Sequence, residues 1–213
     1  MELENSMRGK FITLEGLEGV GKTTNRAFVE NLLNEYGISF VGTREPGGTE
    51  IGETLRNLVL HAAGQMRDET ELLLMTASRV EHVGRVIEPA LNSGQWVLCD
   101  RFLDASIAYQ GAGRELGVDR VAELHRMMGV TIEPDLTLLL DMPVKAGLAR
   151  MSARGQPDRI ERETLAFFER ARSAYLQRAA DAPNRVVVID ASGPLETVQA
   201  CVKSAILPLL EKA

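Results

Sequence analysis

The sequence predicts an α/β fold built on a parallel sheet, and three observations carry that prediction. Short apolar runs of strand type alternate with longer segments of helical spacing along the whole chain. The runs are continuously apolar rather than alternating, as strands are when helices cover both faces. Four of the five runs end in an acid, at Glu15, Asp100, Asp141 and Asp190. In a parallel sheet these ends share one rim, where ligands bind.

The elements follow in order. Lys10–Glu15 (KFITLE) reads as the first strand and leads through glycines into a helix over Lys22–Tyr36. Gly37 closes that helix, and a second strand follows at Ile38–Thr43. Glu50–Leu60 returns to helical spacing, with Ile51, Leu55, Leu58 and Val59 apolar. A long helical region over Asp68–Asn92 should be interrupted near Gly84 and Pro89. The remaining strands are Trp96–Asp100 (WVLCD), Leu136–Asp141 (LTLLLD) and Arg185–Asp190 (RVVVID), and a final helix runs from Pro194. With 213 residues, 45% of them hydrophobic, and no repeat or linker-like tract, one domain over 8–213 is expected. Residues 1–7, polar and ending in a second Met, read as an extension outside it.

Thirty acids against twenty-four bases give a net charge of −6, the wrong sign for gripping a nucleic-acid backbone. Apolar runs such as Leu138–Leu140 and Val186–Ile189 fall far short of the roughly 18 residues of a membrane span. Cys99 and Cys201 have neither disulfide-framework nor metal spacing, which suits a cytoplasmic protein. His61, His82 and His125 share no metal spacing either and read as surface or helix residues. Of the 24 basic residues 19 are Arg, a planar fork matched to phosphate and carboxylate oxygens.

Directly after the first strand stands Gly16-Leu17-Glu18-Gly19-Val20-Gly21-Lys22-Thr23, a full phosphate-loop pattern with a strand before it and a helix after. Glycines let backbone N–H groups wrap a β-phosphate, and the helix adds its unpaired N–H groups and positive dipole end. Lys22 would bridge β- and γ-phosphates of ATP, while Thr23 and Asp100 would hold Mg2+. Three further blocks carry chemistry. Thr43–Thr49 (TREPGGT) sets Arg44 on a rigid turn, and Asp100-Arg101-Phe102 is followed by Ser106, Tyr109 and Gln110. Arg150–Arg162 (RMSARGQPDRIER) reads as a lid; from 150 to 178 there are seven arginines and four acids, a local +3.

GLEGVGKTT, TREPGGT, DRF with AYQG, and ARGQPDRIE, in that order, resemble the thymidylate kinase family over nearly the whole chain. The resemblance implies a three-layer P-loop nucleoside monophosphate kinase fold, a five-stranded parallel sheet, a homodimer, and transfer of the ATP γ-phosphoryl group to dTMP. It places Arg44 and Arg101 on the dTMP phosphate, Arg79, Ser106, Tyr109 and Gln110 at the base and sugar, and Glu18 near the sugar 3′-hydroxyl. A lid arginine, Arg154 or Arg159, would reach the transferring group, as in the bacterial subtype. One departure stands out: Met75 occupies the place where the family stacks an aromatic ring on thymine, leaving Phe102 and Tyr109 as substitutes.

The chemistry is consistent with these residues. The nucleophile is a phosphate oxygen, already anionic near neutral pH, so cations rather than a strong base lower the barrier. A kinase for another nucleoside monophosphate and an ATP-binding regulatory module are the alternatives.

Overall fold

The computed structural model describes residues 8–62, 64–152 and 157–211. A five-stranded parallel sheet runs β2-β3-β1-β4-β5, with β1 (Phe11–Glu15) at its centre. β2 (Phe40–Arg44) and β3 (Trp96–Asp100) lie on one side, β4 (Leu136–Asp141) and β5 (Val186–Asp190) on the other. Every residue of β1 is buried, as the continuous apolar pattern requires. Inside this dry centre Thr13 and Thr137 satisfy each other, Oγ1 to Oγ1 at 2.8 Å across β1 and β4.

Order 2-3-1-4-5 puts the topological switch beside β1, so the loop leaving β1 opens onto the crevice between β1 and β3. α1 (Lys22–Glu35) and α9 (Leu195–Leu210) pack on each other over one face. α2 (Glu50–His61) and α3 (Asp68–His82) pair beside the crevice. The expected break in the long helical region is a widening rather than an end. α3 passes through a π segment, Val83–Ile87, into α4 (Glu88–Asn92), with Pro89 in its first turn.

A stretch with no assigned element in the sequence reading is helical. α5 (Leu103–Ser106) leads into a second π segment, Ile107–Gly113, and α6 (Val118–Met127) follows. α7 (Val144–Ser152) leaves β4 toward the lid, and α8 (Leu165–Asp181) returns from it to pack along Ile107–Gly113. Thr164 caps α8 by accepting from the Phe167 N–H at 3.2 Å. Cys99 is a fully buried core thiol, pushed up by its burial. Among the described residues no helix is long and apolar enough to cross a membrane.

Candidate active site

At one end of the crevice the site is made of backbone. α1 starts from Gly21 at φ 92°, with no side-chain cap and no acid in its first turn. Its leading N–H groups therefore open on the Gly16–Thr23 loop with no acid of their own turn to pair them, the arrangement that binds an anion. Gly19 has φ +75°, and a Cβ there would lie 2.0 Å from the Gly147 carbonyl oxygen, so only glycine lets the loop seat against α7. Leu17 and Val20 point into the core and fix the loop from below. Lys22 Nζ donates to the carbonyls of Gly16 and Leu17 at 2.9 and 2.7 Å. Burial, reinforced by the Arg101 guanidinium, pulls its ammonium down to about 8, so a polyphosphate would restore the charge it is losing.

Asp100 and Thr23 line the same crevice, and Asp100 Oδ1 is buried without a hydrogen-bond partner among the described residues. A buried carboxylate oxygen in that position is completed by a cation or its water shell, and a carboxylate with a hydroxyl forms the hard-oxygen set that suits Mg2+. The donor chemistry of the site thus fits the metal.

At the other end the site is made of side chains. The crevice, about 260 Å3, is lined there by Glu18, Arg56, Met75, Arg101, Tyr109 and Gln110. Arg101 sits at φ 69°, a left-handed conformation that costs a non-glycine residue roughly 1 kcal/mol or more. That backbone turn lets its N–H reach Leu14 O at 2.9 Å while its guanidinium donates to Glu18 Oε1 at 2.7 Å and to Gly16 O at 3.1 Å. The guanidinium also lies over the Tyr109 ring, 4.8 Å from its centre, and the Tyr109 hydroxyl donates to Glu18 Oε2 at 2.7 Å. Glu18, Arg101 and Tyr109 therefore tie the phosphate loop to the opposite wall.

Behind that wall lies a buried polar chain. Thr43 Oγ1 and His82 Nε2 are 2.7 Å apart, His82 Nδ1 meets Glu45 Oε1 at 2.9 Å, and Arg79 Nε donates to Glu45 Oε2 at 2.7 Å. Arg79 then donates to Ser106 Oγ at 2.8 Å and to Phe102 O at 2.9 Å, and approaches His125 Nε2 at 2.6 Å. Burial opposes ionisation of Glu45, but Arg79 and His82 outweigh it and hold the carboxyl below its ordinary range. His125 is the reverse case: burial, with Arg79 beside it, drives it down to about 4, and its Nδ1 donates to Val121 O at 2.8 Å as a neutral ring must. Gly48 belongs to this packing, since a Cβ there would meet His82 Nε2 at 2.5 Å.

The structure brings together Glu18, Gly19, Gly21, Lys22, Thr23, Met75, Asp100, Arg101, Tyr109 and Gln110, with Gly16, Leu17 and Val20 forming the base of the loop. Met75 does line the crevice, whereas Phe102 is core, edge-on to Phe11 at 5.0 Å. Arg44 stands on the rim, beside Asp100 in the sheet register, with its guanidinium on Glu53 at 2.9 Å. Arg79 and Ser106 are fully buried behind the wall. Arg159 does not line the crevice: it donates to Val59 O at 2.8 Å and to Glu71 Oε2 at 2.5 Å, and lines an adjoining cavity of about 990 Å3 that shares Arg56, Leu60, Asp158 and Glu161 with the crevice. Arg154 lies outside the described residues.

The sequence reading missed Arg56. It lines the crevice, donates to Pro46 O at 2.9 Å, and is lowered by burial and by the Arg44 guanidinium, which Glu53 and Asp100 only partly offset. Its signal was position: 56 falls on the same stripe of α2 as the buried Gly52 and Val59. His82 and His125 are helix residues as expected, but neither is at the surface.

The comparisons agree with this geometry. Residues 14–202 match the family model described as thymidylate kinase. The thymidylate kinase of Bordetella petrii is 50% identical over 204 residues, covering 96% of this chain and 98% of its own length. That of Pseudomonas entomophila is 51% identical over 207 residues, 97% of this chain and 99% of its own. A crystal structure of thymidylate kinase from Ehrlichia chaffeensis superposes with a TM-score of 0.77 at 32% identity, over 94% of this chain and 99% of that one. The phosphate-loop pattern and the full-length similarity converge, and the chain belongs to the thymidylate kinase family.

Proposed function

We propose that this crevice transfers the γ-phosphoryl group of ATP to dTMP, giving dTDP and ADP. One observation carries the reading: a single crevice holds an uncapped helix N-terminus with Lys22 and, beside them, Arg56 and Arg101, with Arg44 on its rim. Two phosphorylated ligands need cations beyond those of the phosphate loop; a switch that only binds ATP needs that loop alone.

The Gly16–Thr23 backbone and Lys22 hold the ATP phosphates. Thr23 and Asp100 are the residues that would hold Mg2+, which when bound would supply charge neutralisation for the ATP phosphates. Arg101, Arg44 and Arg56 bind the dTMP phosphate and turn one oxygen toward the γ-phosphorus. That oxygen forms the new P–O bond as the bond to the β-phosphate oxygen breaks and ADP departs, with charge building on the migrating group. Arg101 moves from Glu18 to the incoming phosphate, and the freed Glu18 carboxylate faces the sugar. Met75, Tyr109 and Gln110 take the base, with Arg79 and Ser106 bracing the wall behind them. Arg159 docks the lid on α2 and α3, which leaves Arg154 for the transferring group.

A second copy of the chain and a cytoplasmic setting complete the reading. Ile51 and Leu58 on α2, and Leu73 and Val80 on α3, are each seven residues apart and exposed, forming an apolar stripe that a like stripe would cover. ADP release measured with dTMP, dUMP, dGMP, AMP and no acceptor tests the activity. Release driven by dTMP is expected; release independent of the acceptor would sink the assignment.

A further inference from the structure

At the base end of the crevice one buried atom is left without a partner. Gln110 lines the crevice and is 1% exposed, and its Oε1 has no hydrogen-bond partner among the described residues. Its Nε2 is taken: it donates to Glu71 Oε1 at 2.7 Å. Glu71 is fully buried on α3, and its Oε2 also receives Arg114 at 3.0 Å and Arg159 at 2.5 Å. Burial opposes the charge on Glu71, but Arg114, the Gln110 amide and Arg159 outweigh it and hold the carboxyl below its ordinary range.

An ionised carboxylate can only accept, so it decides which end of the Gln110 amide it binds. The NH2 group is drawn to Glu71, and the carbonyl oxygen becomes the free end at the crevice wall. We propose that Glu71 is a positioning residue that locks Gln110 with its carbonyl toward the base, so that the site takes a pyrimidine bearing an N–H at ring position 3 and rejects one whose N3 is itself an acceptor. The inference rests on reading the crevice as the dTMP site. A cytosine-type ring would set a lone pair against the Gln110 oxygen and leave both buried acceptors unpaired, which is how a hydrogen-bonding site discriminates most strongly. Because the same carboxylate holds Arg159, the amide and the base of the lid share one anchor.

Calorimetric titration of the full chain with dTMP and with 5-methyl-dCMP isolates the effect, since the two ligands differ only along the 3,4 edge of the ring. The wild-type chain is expected to favour dTMP by at least ~100-fold. In Glu71→Gln the new amide can donate as well as accept, so Gln110 is free to turn over. The preference should shrink at least ~10-fold through weaker dTMP binding, with the dTMP KM rising more than kcat falls and ATP affinity unmoved. Glu71→Asp keeps an acceptor-only partner and should retain the preference. If Glu71→Gln does not fold in a thermal melt, Gln110→Met, which removes the carbonyl, must narrow the ratio instead. An unchanged ratio in the folded variant overturns the role of Glu71. A wild-type chain that binds dTMP no better than dAMP overturns the dTMP reading itself.

Discussion

The two ends of the crevice are built by different means. The loop end is a run of eight consecutive residues, Gly16 to Thr23, that presents main-chain N–H groups and a helix start. The base end is assembled from β2, α2, α3, β3 and the Ile107–Gly113 segment, and its shape depends on buried ion pairs in the second layer. Backbone recognition needs glycine where side chains would collide and tolerates little else. Side-chain recognition depends on partners that are remote in sequence, such as Glu45 with Arg79 and Glu71 with Gln110.

Substitutions can break or sharpen this contrast, beginning with the largest effect. Lys22→Ala should lower kcat roughly 100–1,000-fold, the scale of losing one fixed charge at a transition state. Calorimetric dTMP affinity should hold, and an equal fall in both would show that the two ends are not separable. Arg79→Met strands Glu45 in the interior with His82 as its remaining partner and should lose about 3–5 kcal/mol in urea denaturation. A loss under about 1 kcal/mol would show that the second layer does not hold the base end together.

His125 supplies one component of the pH dependence of stability, opposed by Glu15, which burial pushes up to about 8 and which therefore costs stability as pH rises from 4.5 toward 8. The folded value of His125, near 4, lies below the ordinary 6.5, so the unfolded chain binds the proton first. Stability supplied by the neutral ring is complete above pH 6.5 and is lost as pH falls toward 4, by up to about 3 kcal/mol. The stability of the wild-type chain minus that of His125→Asn should rise as pH goes from 4 to 6.5, the Glu15 component being common to both; a difference that does not change with pH would remove His125 as a cause. Thr164→Ala, at the α8 cap beside the lid, should cost only about 1 kcal/mol and leave kcat/KM for dTMP within twofold. A larger kinetic effect would place the α8 start among the moving parts.

Legibility in the sequence follows the same division. β1, β3, β4 and β5 fall within one residue of the runs that announce them, because burial on both faces leaves a continuous apolar signal. β2 begins at Phe40 instead of Ile38, as befits an edge strand covered on one side in part. The phosphate loop is local and was legible residue by residue. The Leu103–Gly113 stretch was not, because its π geometry follows neither a 3.6 nor a 2 period and its glycines read as breakers. Arginines that resemble a solvated surface are tethers: Arg172 grips Asp141 through two bonds of 2.8 Å, and Arg178 holds Asp104 at 2.9 Å. No spacing rule links residues 31 or 74 positions apart, so such pairs become visible only when the sheet order is known.

The Ile107–Gly113 segment carries a consequence for how such a site can change. An ordinary helix turns about 100° per residue, and a π segment absorbs additional chain without disturbing the α geometry on either side. Tyr109 and Gln110 owe their direction to that additional length. Deleting a single residue there would let the segment relax to an α-helix and swing the following side chains by about a quarter turn, away from Glu18 and Glu71. Point substitutions can tune this pocket in small steps, but a one-residue insertion or deletion would erase it at once, which makes the chain's length at this place as much a part of the pocket as its chemistry.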